Sequence, residues 1–177
     1  MDSHFHSHVL IQITILFFLF LHSLSPATAN LVSDVCKETK NPPSCVSALN
    51  QDPKSPSTTD VKALAKIALQ LAVSNSTTSK NDIQNLAKKS TQPTLKKALD
   101  ICVSSYVQVV ASFNSSLHEI DEDPQTANYD ASVAGDGARS CEDALASGGL
   151  KVASVSTLNG YVFLHSNIGD VITSRLY

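Results

Sequence analysis

LKKALDICVSSYVQVVASFNSSLHEIDEDPQTANYDASVAGDGARSCEDAL, residues 95–145, is the stretch on which the fold of this chain turns. Its first half places apolar residues at Leu95, Leu99, Cys102, Tyr106, Val109, Phe113, Leu117 and Ile120, steps of three and four that gather on one face of a helix. Asp121-Glu122-Asp123-Pro124 reads as a polar turn, after which the spacing resumes at Ala127, Ala131, Ala134, Ala138, Cys141 and Leu145. Each stripe holds one cysteine. The midpoint between them falls between Asp121 and Glu122, so folding the two helices back on each other sets the thiols level across the seam and predicts a disulfide. In a reducing compartment the same two residues would read as small buried hydrophobes.

The amino-terminal end points to the compartment. Residues 9–21 form an apolar run short for a bilayer span, and Ala27-Thr28-Ala29 supplies the small residues a signal peptidase accepts. Residues 1–29 therefore read as a secretory signal and residues 30–177 as one domain, long enough for its own core. The signal lacks Lys and Arg and carries His4, His6 and His8 instead, a metal-binding pattern that cleavage would discard. No later run is comparably apolar, so no membrane anchor is expected. A formal net charge of −3 argues against nucleic acid and anionic membrane as partners.

Four cysteines beyond residue 29 imply two disulfides, for which three pairings exist. Cys36 and Cys45 flank Lys40-Asn41-Pro42-Pro43, where the prolines interrupt a helix and favour a turn, so a local bridge closes a short hairpin. Cys102 is left with Cys141. In the chain-entropy model a loop of that length is worth roughly 4 kcal/mol. Zinc ligation is the rival, but the close Cys pairs of zinc sites are missing, and no metal is expected.

Around this centre the remaining segments also read as helical. Residues 30–50 form the hairpin, residues 51–57 with Pro53 and Pro56 a connector, and Ser57, Thr58 or Thr59 the cap of the next helix. That helix shows its apolar face at Val61, Leu64, Ala68 and Leu71, bends or frays near Asn75-Ser76-Thr77-Thr78, and ends by Gln92-Pro93. Helices over 94–120 and 125–146 follow, the second stopped by Ser147-Gly148-Gly149, and a last one starts around Ser156. No strand-like alternation appears. The expected fold is all-α: an up-down-up-down four-helix bundle preceded by an N-terminal helical hairpin, with two disulfides and alanine-rich seams.

Little in the chain suggests catalysis. His118 and His165 are the only histidines beyond residue 29, neither has a free cysteine to activate, and no nucleophile elbow, zinc-protease helix or phosphate loop occurs. The acids Asp121, Glu122 and Asp123 sit in a turn, and Glu142 and Asp143 are adjacent, so neither set faces another carboxylate across a cleft. The reading is a non-enzyme without cofactor. Asn75-Ser76-Thr77 and Asn114-Ser115-Ser116 match the N-glycosylation sequon, making Asn75 and Asn114 candidate glycan sites.

Several short runs occur together in one order: Val35-Cys36-Lys37-Glu38-Thr39-Lys40-Asn41-Pro42 to Cys45, then Ala48-Leu49 to Asp52-Pro53-Lys54-Ser55, then Leu95-Lys96 to Cys102 and Tyr106. Asp136-Gly137-Ala138-Arg139-Ser140-Cys141-Glu142-Asp143 and Ser166-Asn167-Ile168 complete the series. In this order the chain resembles the plant inhibitors of pectin methylesterase and invertase. The resemblance implies a hairpin and bundle with bridges Cys36–Cys45 and Cys102–Cys141. It also implies a monomer secreted to the cell wall or held in the vacuole, whose partner is pectin methylesterase or acid invertase. In the pectin methylesterase branch, polar residues of the two central bundle helices cover the substrate cleft, and Asp123, Asn128, Ser140 and Asp143 match positions of that surface. Ser104, Gln108 and Ala111 stand where that branch is acidic. Invertase inhibitors carry Pro-Lys-Phe at the turn, where this chain has Pro124-Gln125-Thr126. The longer matching run favours pectin methylesterase as target, with invertase as the alternative. A secreted helical lipid-binding or signalling protein is the reading from a different class.

Overall fold

The computed structural model describes residues 30–177; the signal read over residues 1–29 lies outside the described residues. Among the described residues there are six α-helices and no strand: α1 (Leu31–Cys36), α2 (Pro42–Leu49), α3 (Val61–Lys89), α4 (Pro93–Glu119), α5 (Pro124–Ser147) and α6 (Ala153–Thr173). Short 3₁₀ turns occur at Ser55–Ser57 and Ser174–Leu176. Helices α3 to α6 form a ring in which α3 adjoins α4 and α6, and α5 adjoins the same two. The up-down-up-down bundle behind a hairpin is therefore the fold, and both bridges form as read, Cys36–Cys45 and Cys102–Cys141.

Local chemistry sets the helix starts. Asn30, Asn41, Asp60 and Asp123 cap α1, α2, α3 and α5, each side chain accepting a hydrogen bond from backbone N–H groups one turn on. Two expectations shift by this rule. Pro42 and Pro43 begin α2 rather than filling the hairpin turn, because proline lacks the N–H that a first helical turn leaves unused. Asp60, not Ser57, Thr58 or Thr59, caps α3, since a carboxylate accepts two N–H bonds there, from Lys62 at 3.1 Å and Ala63 at 3.2 Å. The last helix starts at Ala153, ahead of the expected Ser156.

No break interrupts α3 at Asn75. The polar run is absorbed by other contacts: Ser76 Oγ donates to the Val73 carbonyl, Thr78 Oγ1 to that of Ser74, and the Asn75 amide to His165 Nε2 on α6, at 2.9 Å. Low helix propensity is thus outweighed by tertiary packing. Within the ring, Tyr106 and Phe113 are the largest fully buried side chains, and Ala127, Ala131, Ala134 and Ala138 line the seam opposite. Tyr106 Oη donates to Asn159 Oδ1 at 2.8 Å, and Asn159 donates to Glu142 Oε1 at 2.9 Å, so the polar atoms of this buried pair are matched. Arg175 ties the carboxyl end to the hairpin through the Asp34 carbonyl and the Glu38 carboxylate. No described helix is long and apolar enough to cross a membrane.

Candidate functional site

The α4–α5 pair is crosslinked and closely packed, and its sequence explains why. Cys102 and Cys141 bring their backbones to a Cα separation of 4.4 Å. Four residues along α5, a Cβ on Gly137 would lie 2.5 Å from Val109 Cγ2 and 3.0 Å from the Ser105 carbonyl, so only glycine permits the helices to approach this closely. At one end, Asp123 Oδ1 accepts the N–H groups of Gln125 and Thr126, and its Oδ2 accepts the Thr126 hydroxyl at 2.7 Å. Those bonds, the Thr126 hydroxyl first, hold the Asp123 carboxyl below its ordinary pKa. Lys66 and Lys62 of α3 anchor the same turn through Asp121. At the other end Gly149, with φ of +65°, closes α5 while Leu150 N–H bonds the Leu145 carbonyl.

Two stripes, exposed except at the half-buried Thr126, Val133 and Ser115, run along this pair. On α5, Thr126, Tyr129, Val133, Asp136, Ser140 and Asp143 follow at steps of three and four; on α4, Ile101, Ser104, Gln108, Ala111 and Ser115 do the same. A shallow groove of about 600 Å³ along α4 includes Lys97, Ile101, Ser104 and Gln108 in its lining. Tyr129 is 67% exposed and Ile101 43%, apolar surface amid polar neighbours.

Of the four residues implied by the resemblance, Ser140 and Asp143 share the α5 stripe, and Asp123 lies at its head as a helix cap. Asn128 falls on the other flank of α5. Its amide donates to the Asp170 carbonyl and carboxylate and lies 3.0 Å from Thr173 Oγ1, so it joins α5 to α6. Asp136, Tyr129 and Ile101 complete the face and were not singled out by sequence reading. The signal was present for Tyr129, which sits two positions past Ala127 and so off the buried stripe. Gln125 and Thr126 both turn their N–H groups onto Asp123.

The candidate glycan sites face inward in part. The Asn114 amide donates to the Val110 carbonyl, Ser116 of its sequon is fully buried, and Asn75 is held against His165. His165, 4% exposed, pairs with the Asn75 amide at Nε2, 2.9 Å away, and its Nδ1 is buried without a partner; burial pushes its pKa down to about 4. It stands between α3 and α6, apart from the α4–α5 face. Among the described residues no cluster of three or more His, Cys, Asp or Glu side chains is placed to hold a metal.

The sequence model of the plant invertase/pectin methylesterase inhibitor family matches residues 30–168. The chain belongs to that family. A pectinesterase inhibitor of Actinidia deliciosa is 32% identical over 135 residues, 73% of this chain and 72% of that protein. A cell wall / vacuolar inhibitor of fructosidase from Arabidopsis thaliana is 34% identical over 104 residues, 58% of this chain and 57% of that one. The fold is also that of a crystal structure of a mutant pectin methylesterase inhibitor from Arabidopsis, with a TM-score of 0.72 at 24% identity over 82% of this chain and 97% of that one. The family is one of enzyme inhibitors.

Proposed function

We propose that this member of the inhibitor family is a secreted, non-catalytic inhibitor that covers the substrate cleft of a pectin methylesterase with its α4–α5 face. A stapled helix pair gives up little conformational freedom on docking, so shape and hydrogen bonding suffice to obstruct a sugar-binding cleft without a covalent step. Tyr129 supplies the aromatic anchor, with Ile101 beside the groove. Ser104, Gln108, Asp136, Ser140 and Asp143 supply the donors and acceptors that a carbohydrate cleft normally finds on its substrate. Asp123 serves the face by ordering its head, and Asn128 by fixing α5 against α6.

The choice of target rests on the corner at Pro124. Thr126 spends its hydroxyl on the Asp123 cap, and Gln125 and Thr126 stand where the resemblance places the Lys and Phe of the invertase branch. The relative named as a pectinesterase inhibitor spans nearly three quarters of both chains, which supports the same choice. Acid invertase is the second reading, supported by the fructosidase-inhibitor relative, whose name also places it in cell wall or vacuole.

Oxidised protein mixed separately with a plant pectin methylesterase and an acid invertase tests the proposal. Residual methylesterase activity is expected to fall while invertase is unaffected. Tyr129→Ala is expected to weaken inhibition at least about tenfold, and Tyr129→Phe to retain it, as for a hot-spot ring. Slowing of invertase alone overturns the choice of target, and slowing of neither overturns the proposal.

A further inference from the structure

The flank of α5 that carries Arg139 meets α6 and the hairpin loop in a cleft of about 420 Å³, its wall formed in part by Lys40, Arg139, Phe163 and Asn167. A second cleft of about 360 Å³ continues from it, sharing Lys40, Phe163 and Asn167 and adding Asn41 and Tyr161. Together they make one groove with two cations, two rings and two amides along it.

The groove is built rather than incidental. Lys40 sits on a loop closed by the Cys36–Cys45 bridge, and its N–H donates to Asn167 Oδ1 at 2.8 Å, across 127 residues of sequence. The Arg139 guanidinium lies over the Phe163 ring, 5.8 Å from its centroid. Stacking orders that side chain while leaving its N–H fork free. Neither Lys40 nor Arg139 forms an ion pair with a described residue. Two carboxylates also reach the first cleft. Asp170 is occupied by Asn128 and Ser132, at 3.0 and 3.2 Å, whereas Asp136 stands at the rim on the α4–α5 face. The groove is therefore formally neutral, and what it offers an anion is two cations that no carboxylate pairs.

We propose that this groove binds a carboxylate-bearing sugar chain, a polyuronate, with a sugar face on Tyr161 and carboxylates on Arg139, held over Phe163, and Lys40. Each element matches one part of such a ligand. Guanidinium and ammonium take carboxylates, the Arg fork in bidentate fashion; Asn41 and Asn167 offer amides to hydroxyls; and the exposed Tyr161 ring presents flat apolar surface to the C–H face of a sugar. The chain as a whole carries a formal charge of −3, which repels a polyanion, so retention requires a local site rather than diffuse attraction. The choice of a uronate among carboxylate ligands rests on the target reading above, since hydrolysis of pectin methyl esters uncovers such carboxylates. The groove would hold the inhibitor on the polymer where its target has worked.

Affinity electrophoresis and titration calorimetry, without any enzyme present, test this with polygalacturonate, highly methyl-esterified pectin and neutral galactan. The wild-type chain is expected to bind polygalacturonate at least about tenfold more tightly than either of the others. Arg139→Gln combined with Lys40→Gln is expected to abolish that preference with the circular dichroism melt and enzyme inhibition unchanged. Lys88→Gln with Lys89→Gln, on the exposed end of α3, is expected to leave it intact. No retention by polygalacturonate overturns the proposal, as does equal binding to galactan or an equal loss in the Lys88/Lys89 variant. Competition by poly-glutamate as effective as the polymer reassigns the groove to acidic peptide and overturns it too. Binding without inhibition would overturn the target reading alone.

Discussion

Lowering the pH from 7 should destabilise this protein well before its carboxylates titrate, and His165 is the reason. The ring is 4% exposed, its Nε2 pairs with the Asn75 amide, and burial depresses its pKa from the ordinary 6.5 to about 4. The folded chain therefore holds a neutral imidazole at pH values where the unfolded chain has already bound a proton. A base with a depressed folded pKa contributes its full stability above about 6.5 and loses it progressively down to about 4. Integrating that linkage between the two values gives a loss, relative to pH 7, of about 1 kcal/mol at pH 5.5 and about 2 kcal/mol at pH 4.5. Asp34, Asp121 and Asp123 also have lowered pKa values and lose stability as pH falls, but their unfolded value of 3.8 puts that loss at lower pH. The window between pH 6.5 and 4.5 isolates the histidine. Urea unfolding followed by circular dichroism at pH 7, 5.5 and 4.5 reads the slope, and His165→Gln, which keeps an amide partner for Asn75, should flatten it. A wild-type midpoint independent of pH in that window, an equal slope in His165→Gln, or an NMR titration giving His165 a pKa near 6.5 would refute the reasoning.

Three further outcomes follow from the packing. Replacing Cys102 and Cys141 together by alanine should cost roughly 4 kcal/mol in urea unfolding. The Cys36/Cys45 pair should cost roughly 2.5–3, because their separations of 39 and 9 residues close loops of different length; equal losses would contradict a chain-entropy origin. Gly137→Ala, which drives a Cβ against Val109 and the Ser105 carbonyl, should destabilise by about 1–3 kcal/mol, and a chemical-denaturation midpoint at or above wild type would show that the helices separate freely. Tyr106→Phe should cost about 1–3 kcal/mol by leaving buried Asn159 Oδ1 without its donor, and a neutral effect on the melt would mean that water replaces the phenol.

Much of the fold was legible because helical periodicity is a local property. The stripes of residues 95–145 read out the two central helices, and the cysteine placed on each stripe paired them correctly. The boundaries moved by a few residues where capping competed, at Asp60 and at Pro42, since several polar residues near a helix start can serve and only the finished backbone selects one. Less of the candidate site was legible. Ser140 and Asp143 share a stripe that spacing alone reveals, and Tyr129 was available by the same reasoning.

The order of amino acids alone carries which face of each helix is buried, that Cys36 pairs with Cys45 and Cys102 with Cys141, and to which family the series of short motifs points. What stands beside each helix emerges on folding: Asn128 turns to α6, Gly137 lets α4 and α5 approach, Asn75 holds a buried His165, and Lys40 and Arg139 meet at Phe163. Steps of three and four specify an inside and an outside. They carry no information on which neighbour lies to the left or right of the stripe, because that depends on contacts between residues as distant as Lys40 and Asn167, which form only when the ring of helices closes.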